Sequence, residues 1–191
     1  MSAIESSPST DIRTVLEKQR ASFLAREPYT LEERCELLDR AIGLLVDHEQ
    51  AIIEALTADF GHRSPAFSKG SEVLSPLATL KQTKADLAEW MRPEQRQARA
   101  GEAWVQYQPM GVVGIVTAWN VPGYMVFSGL AGALAAGNRV MIKPSEFTPH
   151  TSALIARLLR SVYAEEEVAV VLGGADVGQA FCAQPFDHLL F

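Results

Sequence analysis

Asn120 is the residue of this chain whose chemistry is easiest to name. It comes directly after Trp119, which follows the apolar run of residues 112–118, and it precedes Pro122. The NH2 group of an asparagine can donate to a developing oxyanion while staying neutral, and one such donor stabilises a tetrahedral intermediate by about 3 to 4 kcal/mol. An asparagine before a proline can equally be a turn residue or a helix cap. The spacing alone leaves both interpretations open.

A second polar group, Lys143, Ser145 and Glu146, follows the apolar residues 140–142. Lys143 can donate to a ribose hydroxyl or pair with a phosphate. Glu146 can accept from ribose hydroxyls and repel a 2′-phosphate, which favours NAD over NADP. We expect these two residues and Ser145 to bind a cofactor. The alternatives are a solvated strand end for Lys143 and an exposed loop carboxylate for Glu146.

A third loop, residues 173–178 with the sequence GGADVG, follows the apolar residues 168–172. It is similar to a dinucleotide-binding fingerprint, but Ala175 replaces the glycine at which the backbone must approach the pyrophosphate most closely. We therefore expect Gly174 to line the adenosine end of a bound nucleotide. A tight turn without a binding role is the alternative.

The elements that position these loops alternate apolar strands with helices. Strands are predicted over residues 112–118, 140–142, 168–172 and 186–191, and helices over 124–136, 149–163 and 177–183. Near-continuous apolar strands separated by helices predict an α/β fold with a doubly wound parallel sheet, covered on both faces. Ligands of such sheets bind beyond the carboxyl ends of the strands, where loops and helix N-termini offer free amides. The three loops are therefore predicted to share one edge.

The first half of the chain is predicted to be an N-terminal helical segment. Asp11 can cap its first helix, and Thr30 with Glu33 forms a capping box for the second. A further helix ends near residue 60. An irregular stretch over residues 62–70 then precedes a helix over 72–91. Residues 102–109 alternate as a strand with two different faces.

Composition and charge exclude several classes of function. The net charge of −6, with 17 basic residues that form no run, argues against a surface for nucleic acid or acidic membranes. No apolar run is long enough to span a membrane, and residues 1–10 show no targeting signal, so we expect a cytoplasmic protein. The histidines and cysteines have no metal-ligand spacing, and Cys35 and Cys182 are predicted to be buried.

Two long segments closely resemble the aldehyde dehydrogenase superfamily: PMGVVGIVTAWNVP at residues 109–122 and ALAAGNRVMIKPSEFTP at 133–149. The segment ALTADFGHRS at residues 55–64 resembles the N-terminal helices of that family, so the similarity runs from about Thr30 onward. The DFGHRS and GNRVMIKPSE sequences are most similar to the class 3 type branch and its coniferyl aldehyde dehydrogenases.

The resemblance implies a role for each candidate residue. An asparagine matching Asn120 stabilises the oxyanion of a thiohemiacetal, and residues matching Lys143 and Glu146 hold the adenosine ribose of NAD, with NADP not excluded. Trp119 borders the cofactor through its backbone. Residues 1–100 then form the helical part of a nucleotide-binding domain, 101–110 begin an oligomerisation arm, and 111–191 form an incomplete Rossmann-like unit. A small-molecule aldehyde as substrate and a homodimer in the complete protein are implied.

Family members continue beyond the strand that matches residues 186–191, into a Gly-Ser turn, a general-base glutamate and a nucleophilic cysteine. We expect this chain to be an N-terminal fragment of an NAD(P)-dependent aldehyde dehydrogenase that oxidises an aldehyde, in this subgroup an aromatic one, to a carboxylic acid. Alone it is expected to be inactive and to bind NAD weakly. Two alternatives stay open: an acylating relative that uses coenzyme A, and a non-catalytic module that binds a nucleotide or a partner.

Overall fold

The computed structural model describes residues 12–191, and the first half of that range is helical, as the sequence predicts. The described elements before the first strand are α1 Ile12–Leu24, α2 Leu31–Asp47, α3 Glu49–Phe60, α4 Pro65–Ser68, a π-helical segment Lys69–Leu74 and α5 Ser75–Trp90. The capping box of α2 is confirmed, because Thr30 Oγ1 accepts from Glu33 N at 3.2 Å and Glu33 Oε2 accepts from Thr30 N at 2.8 Å. The Asp11 cap and residues 1–10 lie outside the described residues.

One predicted boundary in this half is wrong. The sequence suggests an irregular stretch over residues 62–70, whereas helical structure begins at Pro65 and continues through the π-helical segment into α5. A proline in the first helical turn needs no amide partner and already has a helical φ. Pro65 therefore starts a helix here instead of interrupting one.

Two short strands connect the helical half to the sheet: β1 Glu94–Arg96 and β2 Ala103–Val105. They pair antiparallel, with Gln95 opposite Trp104. The strand predicted over residues 102–109 is therefore shorter than expected. The sequence of β1 is entirely polar, so it carries no alternation by which a strand could be predicted. Trp104 is 57% exposed, and the hairpin presents this aromatic ring to solvent.

The second half forms the predicted α/β unit. Its elements are β3 Val112–Val116, α6 Pro122–Ala135, β4 Arg139–Lys143, α7 Pro149–Val162, β5 Val168–Val170, α8 Ala175–Cys182 and β6 His188–Leu190. The four strands are parallel and lie in the order β5-β4-β3-β6. The prediction of a parallel sheet is confirmed. Its β6 edge carries the half-exposed Leu190.

Helices cover both faces of this sheet, which confirms the doubly wound arrangement. On one face, Ile115 and Ile142 belong to the larger core, together with buried residues of α2, α3, α5, α6 and α7. On the other face, Val112 and Met141 pack with residues of α1 and with Phe181 of α8. Neighbouring strand residues point to opposite faces, so β3, β4 and β5 are buried on both sides, whereas the edge strand β6 is exposed.

The two cysteines differ in burial. Cys35 is half-buried on α2 and packs against the larger core, whereas Cys182 is exposed at the end of α8. The prediction that Cys182 is buried is wrong. Phe181 is the residue of α8 that faces the sheet, and the next position along a helix points about 100° away from it.

Candidate functional site

The loops after β3, β4 and β5 meet at one edge of the sheet, as the sequence predicts. Val116, the last residue of β3, pairs with Lys143, the last residue of β4. Beyond that pair, Thr117 N donates to Lys143 O at 3.2 Å, and Val171 N donates to Ile142 O at 2.9 Å. The polar residues that follow the three strands therefore leave the sheet at the same level.

Lys143 is a buried cation at this edge, with 3% of its surface exposed. Its Nζ donates to Pro144 O at 2.8 Å and to Glu146 Oε2 at 3.2 Å. This burial excludes the solvated strand end that was the alternative for Lys143. An ammonium group has one more N–H than these two bonds use, so Lys143 keeps a donor for a ligand.

The Glu146 side chain is 34% exposed and extends toward solvent from the turn after β4. The backbone amide of Glu146 and the ammonium of Lys143 hold the pKa of the Glu146 carboxyl below its usual value. The group is therefore a carboxylate at neutral pH. Together the pair offers a ligand one donor and one charged acceptor.

Ser145 fixes the shape of the turn between these two residues. Its Oγ accepts from Phe147 N at 3.2 Å, and its carbonyl oxygen accepts from Ser152 Oγ at 2.8 Å. Only 6% of Ser145 is exposed. These bonds tie the turn to the start of α7, and direct contact of Ser145 with a cofactor stays a prediction.

A cavity of about 630 Å³ lies beside the turn. This volume is within the range of small-molecule sites. Ser145 and Glu146 line one side of it, and Leu172 and Gly173 of the loop after β5 line another. The remaining wall comes from α3 and α7 and includes Ala51, Glu54, Ala55, Ala58, His150 and Arg157.

The sequence predicts that Gly174 lines a bound nucleotide, and Gly173 is the glycine that lines the cavity. Gly174 is the N-cap of α8. A Cβ on Gly173 would lie 2.4 Å from Val177 Cγ2, so only glycine fits there. The wall from α3 was also missed. The sequence pattern that could have indicated this wall is a row of small residues at helical spacing, Ala51, Ala55 and Ala58. Their short side chains leave room for a ligand beside the helix.

Asn120 and Trp119 lie on the loop after β3, outside this cavity. Trp119 is 53% exposed, and its ring centroid lies 6.3 Å from that of Phe60. Asn120 is exposed, its backbone carbonyl accepts from Arg63 Nη2 at 2.9 Å, and its carboxamide makes no hydrogen bond within residues 12–191. The N-cap of α6 is Val121, so Asn120 does not have the capping role that was its alternative.

Two helix N-termini at this edge are occupied by carboxylates of the chain itself. Glu72 Oε2 accepts from the amides of Gly123 and Tyr124 in the first turn of α6, at 2.9 and 3.1 Å. Asp59 accepts two amides in the first turn of α7, at 3.0 and 2.8 Å. The expectation of free amides at these N-termini is therefore wrong for α6 and α7. The backbone amides that could bind an anion at these two N-termini already donate to Glu72 and Asp59.

Two further features are absent from the part of the chain that the structure describes. Within residues 12–191, no group of three or more His, Cys, Asp or Glu side chains is arranged to hold a metal ion. None of the helices in the same range combines the length and the apolar character that crossing a membrane requires.

A family model and two curated relatives assign the chain to the same family. Residues 1–190 match the model of the Aldehyde dehydrogenase family. The coniferyl aldehyde dehydrogenase of Pseudomonas sp. (strain HR199 / DSM 7063) is 45% identical over 180 residues, which are 93% of this chain and 37% of that protein. The probable coniferyl aldehyde dehydrogenase of Caulobacter vibrioides is 45% identical over 184 residues, covering 93% of this chain and 38% of the relative.

Solved structures agree with this result. The substrate-bound AldH of Staphylococcus aureus superposes with a TM-score of 0.91 at 27% identity, over 95% of this chain and 40% of that one. The aldehyde dehydrogenase of Mycobacterium tuberculosis complexed with NAD+ gives a TM-score of 0.83 at 26% identity, over 97% and 38%.

The chain spans 37% and 38% of the length of the two curated relatives it matches at 45% identity. The family model nevertheless covers almost all of its residues, and the sheet edge described above lies inside the matched region. This chain belongs to the aldehyde dehydrogenase family.

Proposed function

We propose that this chain forms the nucleotide-binding part of an NAD-dependent aldehyde dehydrogenase and contributes Asn120 to its active site. The observation that carries the proposal is that the Asn120 loop and the Lys143–Glu146 pair follow adjacent, paired strands of one parallel sheet. The two relatives at 45% identity are named for coniferyl aldehyde, which supports an aromatic aldehyde as the substrate and a carboxylic acid as the product.

The proposed cofactor fits the residues at the turn after β4. The spare N–H of Lys143 and the exposed carboxylate of Glu146 would hold the hydroxyls of the adenosine ribose, next to the cavity. Ser145, Trp119 and Gly174 would border the same ligand. The negative charge of Glu146 repels a 2′-phosphate and favours NAD, although a carboxylate that rotates toward solvent would admit NADP.

Asn120 would act on the aldehyde. Its carboxamide is unpaired within the described residues and can donate to the oxygen that becomes negative when a thiolate adds to the carbonyl carbon. NAD held by Lys143 and Glu146 would supply the acceptor for the hydride that leaves this carbon. Of the two cysteines in the chain, Cys35 lies on α2 and Cys182 on α8, so neither belongs to the three loops of the site. We therefore propose that these 191 residues alone do not oxidise aldehydes.

Two further properties belong to the same proposal. The β1–β2 hairpin, with its exposed Trp104, would act as part of an arm through which the complete protein forms a homodimer. The cytoplasmic location and the division of the chain at residues 100 and 110 stay predictions from the sequence.

A chimera tests the proposed function. This chain replaces the corresponding part of the Pseudomonas sp. coniferyl aldehyde dehydrogenase, and NADH formation from coniferyl aldehyde is followed. We expect activity in the chimera and none in the chain alone.

Asn120→Asp, which keeps the size of the side chain but loses the NH2 donor, should lower kcat by about 100-fold or more while NAD binding is kept. An active, stably folded Asn120→Asp chimera would refute the role of Asn120. The non-catalytic alternative predicts a chimera that binds NAD but oxidises nothing.

A further inference from the structure

Arg63 is a nearly buried cation that the proposed chemistry does not use. It lies in the DFGHRS segment, two residues after Gly61. Gly61 is the C-cap of α3 and has a φ of +69°. Its side chain is 10% exposed. The guanidinium carbon lies 4.3 Å from the ring centroid of Phe60 and 5.1 Å from that of Phe67. Two aromatic faces therefore hold the cation in place from within the helical half.

The polar contacts of Arg63 converge on the loop after β3. Its Nη2 donates to the backbone carbonyl of Asn120 at 2.9 Å and lies 3.0 Å from Glu72 Oε1. Glu72 is fully buried, and its other oxygen accepts the amides of Gly123 and Tyr124 at the start of α6. The ion pair thus binds the backbone at two places: Arg63 at Asn120, and Glu72 at Gly123 and Tyr124.

This arrangement holds the main chain on both sides of the Val121–Pro122 junction. The carboxamide of Asn120 has no hydrogen bond of its own within the described residues, so its direction depends on where the main chain is held. A buried ion pair contributes little net stability compared with well-packed apolar side chains, because desolvation opposes the attraction. The contacts of this pair are instead concentrated on the loop that carries the proposed oxyanion donor and on the first turn of α6, which follows it.

We propose that Arg63, anchored by Glu72, is a positioning residue for Asn120: it fixes the backbone carbonyl of Asn120 relative to the start of α6 and so sets the direction of the carboxamide. The inference rests on the proposed function only for the role of that carboxamide. The planar guanidinium is suited to this task, because one amino group reaches both the carbonyl and the carboxylate while the rings hold its faces.

Asparagine-selective nitrogen-15 labelling of the whole 191-residue chain provides a direct test. The sequence contains two asparagines, Asn120 and Asn138, so a proton–nitrogen correlation spectrum reports on this loop and on one internal control. Asn138 is buried, and its side chain caps the start of β3 by accepting from the backbone amides of Met110 and Gly111 at 2.7 and 3.1 Å. The spectra are recorded for Arg63→Ala, Arg63→Lys and Glu72→Gln, with the exposed Arg92→Ala as a matched control.

We expect Arg63→Ala to shift or broaden the backbone and side-chain signals of Asn120 while those of Asn138 keep their positions. Arg63→Lys should retain part of the wild-type position, and Glu72→Gln should move the same Asn120 signals. Arg92→Ala should leave all signals unchanged. If Arg63 had a merely structural role, Arg63→Ala would leave the Asn120 signals in place or move both asparagines together, and either result would overturn the proposal. Because this readout needs neither aldehyde nor NAD, its outcome is independent of the Asn120→Asp kinetics.

Discussion

Lys143 Nζ lies 3.2 Å from Glu146 Oε2, and this contact joins a buried cation to a partly exposed carboxylate. The lysine is held by the sheet and by the carbonyl of Pro144, so its position is fixed. The Glu146 carboxylate accepts from Lys143 and from the backbone amide of Glu146, and the rest of the side chain is partly exposed. A ligand that enters beside the turn therefore meets a preformed donor and an acceptor that can rotate toward it.

Replacing Lys143 by Met in the chimera should weaken NAD binding. The substitution keeps an apolar stem in the buried position but removes a charged donor, and a hydrogen bond from a charged group is worth about 1.5 to 3 kcal/mol, or about 10-fold to 100-fold in affinity. Isothermal titration calorimetry with NAD measures the change. Lys69→Met is the matched control, because Lys69 also pairs with a glutamate, Glu49, but at the surface. Equal NAD affinity in both variants would contradict the assignment of Lys143.

Replacing Glu146 by Gln should shift the cofactor preference toward NADP. The amide can still accept from a ribose hydroxyl, but it no longer repels a 2′-phosphate. The ratio of kcat/KM for NADP to that for NAD, measured with the chimera, should rise several-fold. Glu54→Gln, which removes a charge from the α3 wall of the same cavity, is the control. An unchanged ratio in Glu146→Gln would show that this carboxylate does not face the 2′ position.

The capping box of α2 should contribute a pH-dependent part of the stability. The backbone amide of Thr30 and the side chain of Arg26 hold the pKa of the Glu33 carboxyl below its usual value. A carboxyl whose pKa is lower in the folded state stabilises the fold above its unfolded pKa, and this contribution is lost as the pH falls through the folded pKa. Glu33→Gln should therefore lower the unfolding midpoint at neutral pH and make less difference in acid, below the pKa of the Glu33 carboxyl in the folded state.

The neighbouring substitution Glu32→Gln is the matched control for this experiment. Glu32 lies in the same first turn and feels the same helix dipole, but its side chain makes no hydrogen bond or ion pair within the described residues. Denaturant unfolding at both pH values should show a smaller pH-dependent difference for Glu32→Gln than for Glu33→Gln. The same difference in both variants would mean that the helix dipole, not the capping box, is responsible.

Asp59→Ala should destabilise the chain by about 1 to 2 kcal/mol, because it leaves two amides of the first turn of α7 without their acceptor. Urea unfolding followed by circular dichroism measures the loss. Asp47→Ala removes an exposed aspartate from the end of α2 and should cost less. A loss no greater than that of the control would show that water replaces the carboxylate at α7 without penalty.

The sheet and its loops could be predicted from the sequence because their signals are local. Each strand of the sheet is an apolar run, and each helix shows apolar residues at helical spacing. Parallel strands then bring Asn120 and Lys143 to the same edge of the sheet. The contacts of Glu72 and Arg63 could not be predicted in this way, since they join residues 51 and 57 positions apart across different elements. The π-helical segment that carries Glu72 has no sequence signal that marks its wider turn.

The same distinction explains which features of the candidate site the sequence alone does not reveal. Gly173 and Gly174 are indistinguishable in a GG pair, and only the approach of Val177 shows which of them must be glycine. Asp59 and Glu72 look like ordinary charged residues on helices, yet both occupy helix N-termini that the sequence alone suggests are free. These roles depend on contacts between residues of different elements, and the sequence of one segment does not show such contacts.

A crystal structure of the chimera with NAD is the most direct measurement of the central claim. We predict that Lys143 Nζ and the Glu146 carboxylate lie at hydrogen-bond distance, about 2.7 to 3.2 Å, from the adenosine ribose hydroxyls. The Asn120 carboxamide should lie at the reacting end of the cofactor. A dinucleotide bound elsewhere, with its ribose out of reach of both Lys143 and Glu146, would contradict the account.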